Sequence, residues 1–191
     1  MSNMKEIIII GGANGSGKTT FSELLIETTG YTFLNADEIE KTLGLSDSTA
    51  AKIRAGRILF ERLEAITLAG KSFILESTLA GNYLVNTIQK LKAEGYCVKI
   101  VYVLLENSEL CIERIKQRVK LGGHFVPDED VRRRFYRSRA KFWNIYKNMA
   151  EDWAMYLNSA EGAERIAIGK GEDFEIENED IFHTFIQSFT K

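Results

Sequence analysis

The sequence predicts an α/β protein built on a doubly wound, mainly parallel sheet of five strands. Short apolar runs alternate along the chain with longer segments of helical periodicity. Several of these runs lack the polar alternation of a half-exposed strand, which is typical of parallel strands covered on both faces. A glycine-rich turn follows the first run directly. Because parallel sheets bind ligands at the carboxyl ends of their strands, we expect the functional residues at that edge.

The expected strands share a short apolar centre bounded by turn residues, and they span 6–10, 32–35, 72–76, 98–105 and 153–157. The expected helices are longer and span 18–28, 37–43, 48–69, 83–94, 107–121 and 128–151. In a C-terminal region of about 163–191, "RIAIG" and "DFEIEN" would add edge strands before a final helix at 179–190. No repeat or linker interrupts the chain, so we expect residues 1–191 to form a single domain.

The composition narrows the class of protein. A formal net charge of −2 over 191 residues argues against a dedicated nucleic-acid-binding role. The apolar run in "MSNMKEIIII" is too short for a signal peptide or a membrane helix. Cys97 and Cys111 form neither a metal-ligand spacing nor a disulfide framework, as is typical of reduced thiols. We therefore expect a cytoplasmic protein without a membrane partner.

The segment "GGANGSGKTT" directly follows the first strand and precedes a helix. It contains a complete G-x-x-x-x-G-K-[ST] phosphate loop in the structural context that this motif requires. Its glycines let backbone N–H groups turn towards phosphate oxygens, its lysine reaches the β- and γ-phosphates, and the Thr19 hydroxyl is a ligand for Mg²⁺. The predicted nucleotide-binding residues are Gly12, Ala13, Asn14, Gly15, Ser16, Gly17, Lys18, Thr19 and Thr20.

Two common uses of a phosphate loop are not supported by the rest of the sequence. A GTPase needs a base-reading Asn-Lys-x-Asp segment, and a transporter-type ATPase needs a Leu-Ser-Gly-Gly-Gln signature; the chain contains neither. The third strand instead ends in "FILESTLAG", with a single acid. A small domain of this kind is suited to phosphoryl transfer onto a small molecule.

Four polar residues are candidates for the chemistry. Asp37 follows the second strand, where it either accepts the proton of an attacking hydroxyl or caps the next helix. Glu76 ends an apolar strand and either contacts Mg²⁺ or substrate or accepts a structural hydrogen bond. Thr78 either binds substrate or caps a helix. Arg57, on the long third helix, is either a substrate contact or a solvated charge.

Seven basic residues surround the loop "GGHFVP" within "RIKQRVKLGGHFVPDEDVRRR". One interpretation is a pair of solvated amphipathic helices joined by a turn. The other is a helical lid over about residues 112–139 whose arginines neutralise the phosphoryl group in transfer. Arg114 and Arg118 are four residues apart and share a helix face, so both are predicted to face the phosphates. His124 is an additional donor to substrate.

The motifs "GGANGSGKTTF", "FLNADEI", "FILESTLAG", "RIKQRVKLGGHFVP" and "DWAMYLNS" occur in an order that resembles the zeta toxin-like P-loop kinases, over roughly residues 5–170. The resemblance implies sheet order 2-3-1-4-5, ATP and Mg²⁺ as cofactors, and a lid over the nucleotide. It implies Asp37 as the catalytic base, Glu76 near the substrate, and the Arg114 to Arg118 stretch as the source of a lid arginine. In related kinases the position of Asn158 contacts adenine.

The same resemblance implies partners for the reaction. The better-known toxins of this family phosphorylate a UDP-linked amino sugar and are restrained by an antitoxin protein. The hypothesis from the sequence is therefore an ATP-dependent kinase that acts on a hydroxyl of a small molecule. Two alternatives stay open at this point: a nucleoside, nucleotide or polynucleotide-end kinase, and a toxin-module protein that acts through an antitoxin.

Overall fold

The computed structural model describes residues 5–43, 48–123 and 125–190. The strands in these ranges are β1 (Glu6–Gly11), β2 (Thr32–Leu34), β3 (Phe73–Ser77), β4 (Cys97–Leu104), β5 (Asp152–Ser159), β6 (Gly162–Lys170) and β7 (Asp173–Ile176). The helices are α1 (Lys18–Thr29), α2 (Ala36–Leu43), α3 (Ser48–Leu68), α4 (Tyr83–Ala93), α5 (Ser108–Lys120), α6 (Asp128–Lys141) and α7 (Glu179–Gln187). No helix in the described part of the chain is both long and apolar enough to span a membrane.

The strands form one sheet in the order β2-β3-β1-β4-β5-β6-β7. β1 pairs in parallel with β3 and β4, and β2 and β5 extend the parallel part on either side. The predicted parallel order 2-3-1-4-5 is thereby confirmed. β6 and β7 continue the sheet antiparallel, so it has seven strands in the described residues rather than five. These two strands are the apolar runs that the sequence offered as edge strands.

The isoleucines of β1 face the two sides of the sheet in turn. Ile7 and Ile9 belong to the larger core, which includes side chains of α3, α4 and α7. Ile8 and Ile10 pack against α1 on the other side. All four side chains are buried. Since helices cover both faces, every position of the strand is apolar, and this explains the unbroken run "EIIII".

The predicted helix over 128–151 ends earlier in the structure. α6 gives way to a π-helical turn (Phe142–Tyr146) and then to a short 3₁₀ turn. Within the π-helical turn, Phe142 stacks on Tyr102 of β4 with ring centroids 4.3 Å apart. The segment contains no glycine or proline that would break the helical periodicity, so no local signal in the sequence predicted the change of helix type.

Two buried polar side chains anchor α6 to the sheet. The Ser138 hydroxyl donates a 2.5 Å hydrogen bond to the carbonyl oxygen of Thr78 and lies 2.8 Å from the Tyr102 hydroxyl. The neighbouring Arg139 guanidinium donates to the carbonyl oxygen of Leu105 at the end of β4. α6 is therefore held across the carboxyl ends of β3 and β4, and it packs against α5. That these two helices act as a lid over about residues 112–139 stays a prediction.

Candidate nucleotide and acceptor site

The phosphate loop connects β1 to α1, as predicted. Gly12, Gly15 and Gly17 have φ angles of +142°, +83° and +94°, which residues with a Cβ rarely adopt. A Cβ on Gly17 would also run into the side-chain amide of Asn158. The hydroxyl of Ser16 is buried and has no hydrogen-bond partner among the described residues. The loop thus forms a backbone cradle with a buried polar atom at the amino terminus of α1, which suits phosphate oxygens.

Lys18 and Glu76 form a buried ion pair beside this cradle. The Lys18 ammonium donates a 2.9 Å hydrogen bond to the Ala13 carbonyl oxygen and lies 3.8 Å from a carboxylate oxygen of Glu76. The hydroxyls of Thr19 and Ser22 donate to the other oxygen of Glu76, at 3.3 Å and 3.4 Å. The acid that ends β3 is therefore paired, as the cost of burying a carboxylate requires.

Burial raises the pKa of the Glu76 carboxyl, and the nearby charge of Asp37 raises it further, whereas Lys18 opposes both effects. Thr19, Glu76 and Asp37 line one cavity, and each carries side-chain oxygen atoms. Mg²⁺ in nucleotide sites binds such oxygens, commonly one or two carboxylates beside the phosphates. The residues present therefore fit a magnesium nucleotide.

Asp37 occupies the first turn of α2, but it does not cap that helix. The backbone N–H of Asp37 donates a 2.8 Å hydrogen bond to the side-chain oxygen of Asn35, so Asn35 is the capping residue. The half-buried Asp37 lines three adjoining cavities. Of the two interpretations from the sequence, the helix cap is thereby removed.

The first of the three cavities lined by Asp37, which we name the loop cavity, has a volume of about 280 Å³. It is lined by the phosphate loop, the start of α1, Arg114, Arg118 and Asn158. Arg114 donates a 3.0 Å hydrogen bond to the carbonyl oxygen of Asn158, and the amide of Asn158 donates a 2.9 Å bond to the carbonyl oxygen of Ser16. The two arginines predicted from the sequence thus lie beside the phosphate loop, and Asn158 braces that loop.

The second cavity, which we name the arginine cavity, has a volume of about 300 Å³. It shares four lining residues with the loop cavity: Asn14, Lys18, Asp37 and Glu76. Its other wall is α6, which contributes Arg133, Arg134 and Arg137. Arg133 and Arg134 are among the seven basic residues that drew attention to this segment in the sequence, whereas Arg137 was not singled out. Their spacing of three and four residues, which places all three on one helix face, was the available signal for a shared wall.

The third cavity, which we name the α3 cleft, has a volume of about 250 Å³ and lies between α3 and residues 125–127 of the loop that joins α5 to α6. It shares Asn14, Ala36, Asp37 and Arg134 with the arginine cavity. Asp37 is therefore the acid at which all three spaces meet.

Most of the sequence matches a known family. Residues 2–162 match the family described as Zeta toxin. The chain belongs to the Zeta toxin family. It is also 31% identical over 124 residues to an uncharacterised protein of Haemophilus influenzae, a match that covers 65% of this chain and 88% of that protein. The resemblance seen in the motifs is confirmed.

Two solved structures are similar to this Zeta toxin family member. One is a chain of the AvrRxo1-ORF1:AvrRxo1-ORF2 complex with ATP, which has a TM-score of 0.74 and is 18% identical; the match covers 96% of this chain and 64% of that one. The other is a chain of the PezAT toxin-antitoxin system of Streptococcus pneumoniae, which has a TM-score of 0.65 and is 16% identical; the match covers 98% of this chain and 86% of that one. The fold is that of the P-loop kinases, and with the family match it confirms a P-loop kinase. The chain spans less than two thirds of the AvrRxo1 chain that it matches.

The other predicted substrate residues differ in their placement. Thr78 lines the arginine cavity, and the residue that precedes α4 is Asn82, so Thr78 does not cap that helix. Arg57 is exposed and is not among the described residues that line the three cavities. His124 lies outside the described residues. The roles of all three stay predictions.

Proposed function

We propose that this Zeta toxin family kinase transfers the γ-phosphoryl group of ATP to a hydroxyl of an anionic small molecule. The observation that carries the proposal is the position of Asp37, which lines both the loop cavity and the arginine cavity. A phosphoryl donor in the first cavity and an acceptor in the second would meet beside its carboxylate. One sheet continues from β2 to β7, so we further propose that residues 1–191 act as a single kinase domain.

The loop cavity is the proposed ATP site. The backbone of the phosphate loop would hold the phosphates, and Lys18 would exchange its hydrogen bond to Ala13 for the β- and γ-phosphates. Arg114 and Arg118 would balance the charge that spreads over the transferring group. Thr19, with Glu76 behind it, would hold Mg²⁺, which when bound draws charge from the phosphate oxygens.

The arginine cavity is the proposed acceptor site. Arg133, Arg134 and Arg137 together present guanidinium groups that match phosphate or carboxylate oxygens in geometry. Arg133 and Arg134 already lie 2.7 Å and 3.9 Å from carboxylate oxygens of Asp130, so an anionic acceptor would be attracted by the excess of cations in the cavity and not by unpaired guanidinium groups. An acceptor that carries a diphosphate fits, and the UDP-linked amino sugar suggested by the family resemblance belongs to this class.

Asp37 is the proposed general base. The O–H bond of the acceptor breaks as its proton passes to the Asp37 carboxylate, and the oxygen forms a bond to the γ-phosphorus. The bond between that phosphorus and the bridging oxygen of ADP breaks at the same centre, so ADP leaves with the electron pair. From the sequence alone, a catalytic base and a helix cap were equal alternatives for Asp37. The Asn35 cap favours the base.

The proposal is tested by incubating the purified chain with ATP, Mg²⁺ and a metabolite extract, and by following new phosphorylated species by mass spectrometry. We expect one phosphorylated acceptor with the wild type and none with Lys18→Ala. UDP-N-acetylglucosamine is the first pure compound to test. Steady release of ADP without any phosphorylated product would overturn the proposal and indicate a nucleotide-gated switch instead.

We also propose an antitoxin-like protein partner. The support comes from the similar solved structures: one is described as a complex of two reading-frame products and another as a toxin-antitoxin system. Expression of the chain alone should then arrest growth, and Lys18→Ala should relieve the arrest. Unimpaired growth at a confirmed level of folded, active kinase would contradict this proposal while leaving the kinase reaction intact.

A further inference from the structure

Arg139 of α6 carries a positive charge into the protein interior, and the reaction described above assigns it no role. Its side chain is 2% exposed, and burial lowers the pKa of its guanidinium. Among the described residues its hydrogen-bond partners are neutral oxygens, and none is a carboxylate. A buried charge without a countercharge is costly, whereas an apolar side chain would fill the same space without that cost. The cost indicates that the guanidinium does something that an apolar side chain cannot.

The Arg139 guanidinium joins three segments of the chain. It donates to the carbonyl oxygen of Leu105, and at 3.4 Å to that of Glu106, in the loop that leads from β4 into α5. It also donates a 3.1 Å hydrogen bond to the hydroxyl of Ser188, which follows α7. Because the N–H donors of a guanidinium have fixed directions, these bonds define the position of α6 relative to both other segments.

Two aromatic rings also contact the guanidinium. Its central carbon lies 4.0 Å from the ring centroid of Phe135, one turn earlier in α6, and 5.5 Å from that of Phe185 in α7. Such cation–π contacts strengthen when the cation is removed from water. The Phe185 ring is itself held in the core by the rings of Tyr102 and Phe142. α7 and the residue after it therefore give Arg139 both an aromatic ring and a hydrogen-bond acceptor.

Arg139 lies on the side of α6 that faces away from the arginine cavity. At about 100° per residue, it is roughly 120–160° around the helix from the three arginines of that cavity. Side-chain tips lie about 5–6 Å from a helix axis, so a rotation of α6 by about 20° would move them by about 2 Å. A displacement of this size is enough to break a hydrogen bond to a bound acceptor. The contacts on the buried side of α6 thus determine where its other side holds its charges.

α7 brings a part of the chain outside the family match to this point. The match ends at residue 162, whereas α7 spans Glu179–Gln187 and Ser188 follows it. Of the described residues that line the arginine cavity and the loop cavity, none comes from this end of the chain. An influence of α7 on a bound acceptor would therefore be indirect, and Arg139 joins the two helices that it would involve.

We propose that Arg139 is a positioning residue for the acceptor and that α7 supports it through Phe185 and Ser188. The guanidinium fixes the rotation of α6 and thereby directs the three arginines of the opposite side into the arginine cavity. The inference rests on the proposed kinase function. It adds to that function a role for the C-terminal helix in binding the acceptor, although this helix lines neither cavity.

The test changes the support of Arg139 without changing the cavities. Ser188→Ala removes the hydroxyl that accepts from the guanidinium, and Arg139→Lys keeps the charge but loses the planar set of donors. Thr190→Ala is the matched control, because it removes a hydroxyl two residues further on that bonds to the carbonyl oxygen of Ile186. Each full-length variant is incubated with ATP, Mg²⁺ and the metabolite extract, and the initial rate of product formation is measured over a series of extract dilutions and of ATP concentrations. Melting curves show which variants fold.

We expect Ser188→Ala to need about threefold more extract for the half-maximal rate and Arg139→Lys on the order of tenfold more, while the half-saturating ATP concentration changes less than about twofold. Thr190→Ala should change neither quantity. A merely structural role gives another result, because loss of folded protein lowers the rate at every dilution and leaves both half-saturation points unchanged.

That result would overturn the positioning role, and so would equal shifts for extract and ATP or an equal shift in Thr190→Ala. If Arg139→Lys does not fold, Ser188→Ala decides the question by the same criteria. These outcomes all leave the kinase function standing. The absence of any product with the wild type would overturn the kinase function, and this inference with it.

Discussion

The backbone N–H of Asp37 is bonded to the side chain of Asn35, and this leaves the Asp37 carboxylate at the meeting point of three cavities. A helix cap is satisfied by a residue two positions earlier in the chain. The acid is therefore available for chemistry without loss to α2.

Replacing Asp37 by asparagine should abolish transfer while keeping the fold. A general base accelerates a reaction by about 10²–10⁴-fold, so kcat should fall by a factor of at least about 10². ATP affinity should stay within about twofold, because Lys18 and the phosphate loop are unchanged. The matched control is Glu38→Gln, which neutralises the exposed neighbour. Single-turnover kinetics and nucleotide titration measure both quantities, and wild-type turnover in Asp37→Asn would refute the base assignment.

Arg137→Met should raise the KM for the acceptor and leave that for ATP unchanged. A hydrogen bond to a charged group contributes about 1.5–3 kcal/mol, which corresponds to a tenfold or larger rise in KM. Arg132→Met is the matched control from the same helix. The Arg132 guanidinium forms an ion pair with the Glu109 carboxylate at 2.8 Å, and Arg132 lines none of the three cavities. If both variants raise the acceptor KM equally, the arginines act through overall charge and the wall is not an acceptor site.

Asn158→Ala should weaken ATP binding. Its amide supports the Ser16 carbonyl, and loss of a hydrogen bond of about 1 kcal/mol predicts a roughly fivefold rise in the Kd for ATP. Ser159→Ala serves as control, since the Ser159 hydroxyl bonds within the β5–β6 turn and not to the phosphate loop. Equal ATP affinities for the two variants would show that the loop holds its shape without the brace.

The pH dependence of stability should contain a contribution from Glu76. Burial raises the pKa of this carboxyl above its ordinary value of 4.5, so between the two values the folded protein holds a proton that the unfolded chain has lost. Stability therefore falls as the pH rises through that interval. Glu76→Gln removes this titration, so the Tm of the wild type should decline relative to that of the variant from about pH 4 towards neutrality. Melting curves without nucleotide test this, with Glu61→Gln as the exposed control; parallel curves for wild type and Glu76→Gln would contradict it.

The sequence was most informative where a local pattern determines the structure. A strand covered on both faces must be apolar throughout, so "EIIII" identified the central strand β1. The phosphate loop needs glycines at fixed spacing, so its position between β1 and α1 followed directly. The parallel order came from the family resemblance. The two antiparallel strands were recognised only as candidates because both carry exposed polar residues among their apolar ones, which weakens the strand pattern.

The proposed acceptor wall could be predicted only in part from local patterns. Arg133, Arg134 and Arg137 resemble the cations of any exposed helix, and their direction is set by contacts distant in sequence. The Ser138 hydroxyl meets the Thr78 carbonyl 60 residues away, and Arg139 meets Leu105 34 residues away. Periodicity places residues on one face of a helix, but only these tertiary contacts determine what that face opposes.

The hydrogen bond between Asn158 and Ser16 joins positions 142 residues apart. During synthesis the chain emerges from its amino terminus, so the phosphate loop leaves the ribosome well before β5. The residue that braces the loop is made 142 residues later. A nascent chain should therefore acquire its full affinity for ATP only after Asn158 has been made, so that products terminated before β5 would bind ATP poorly.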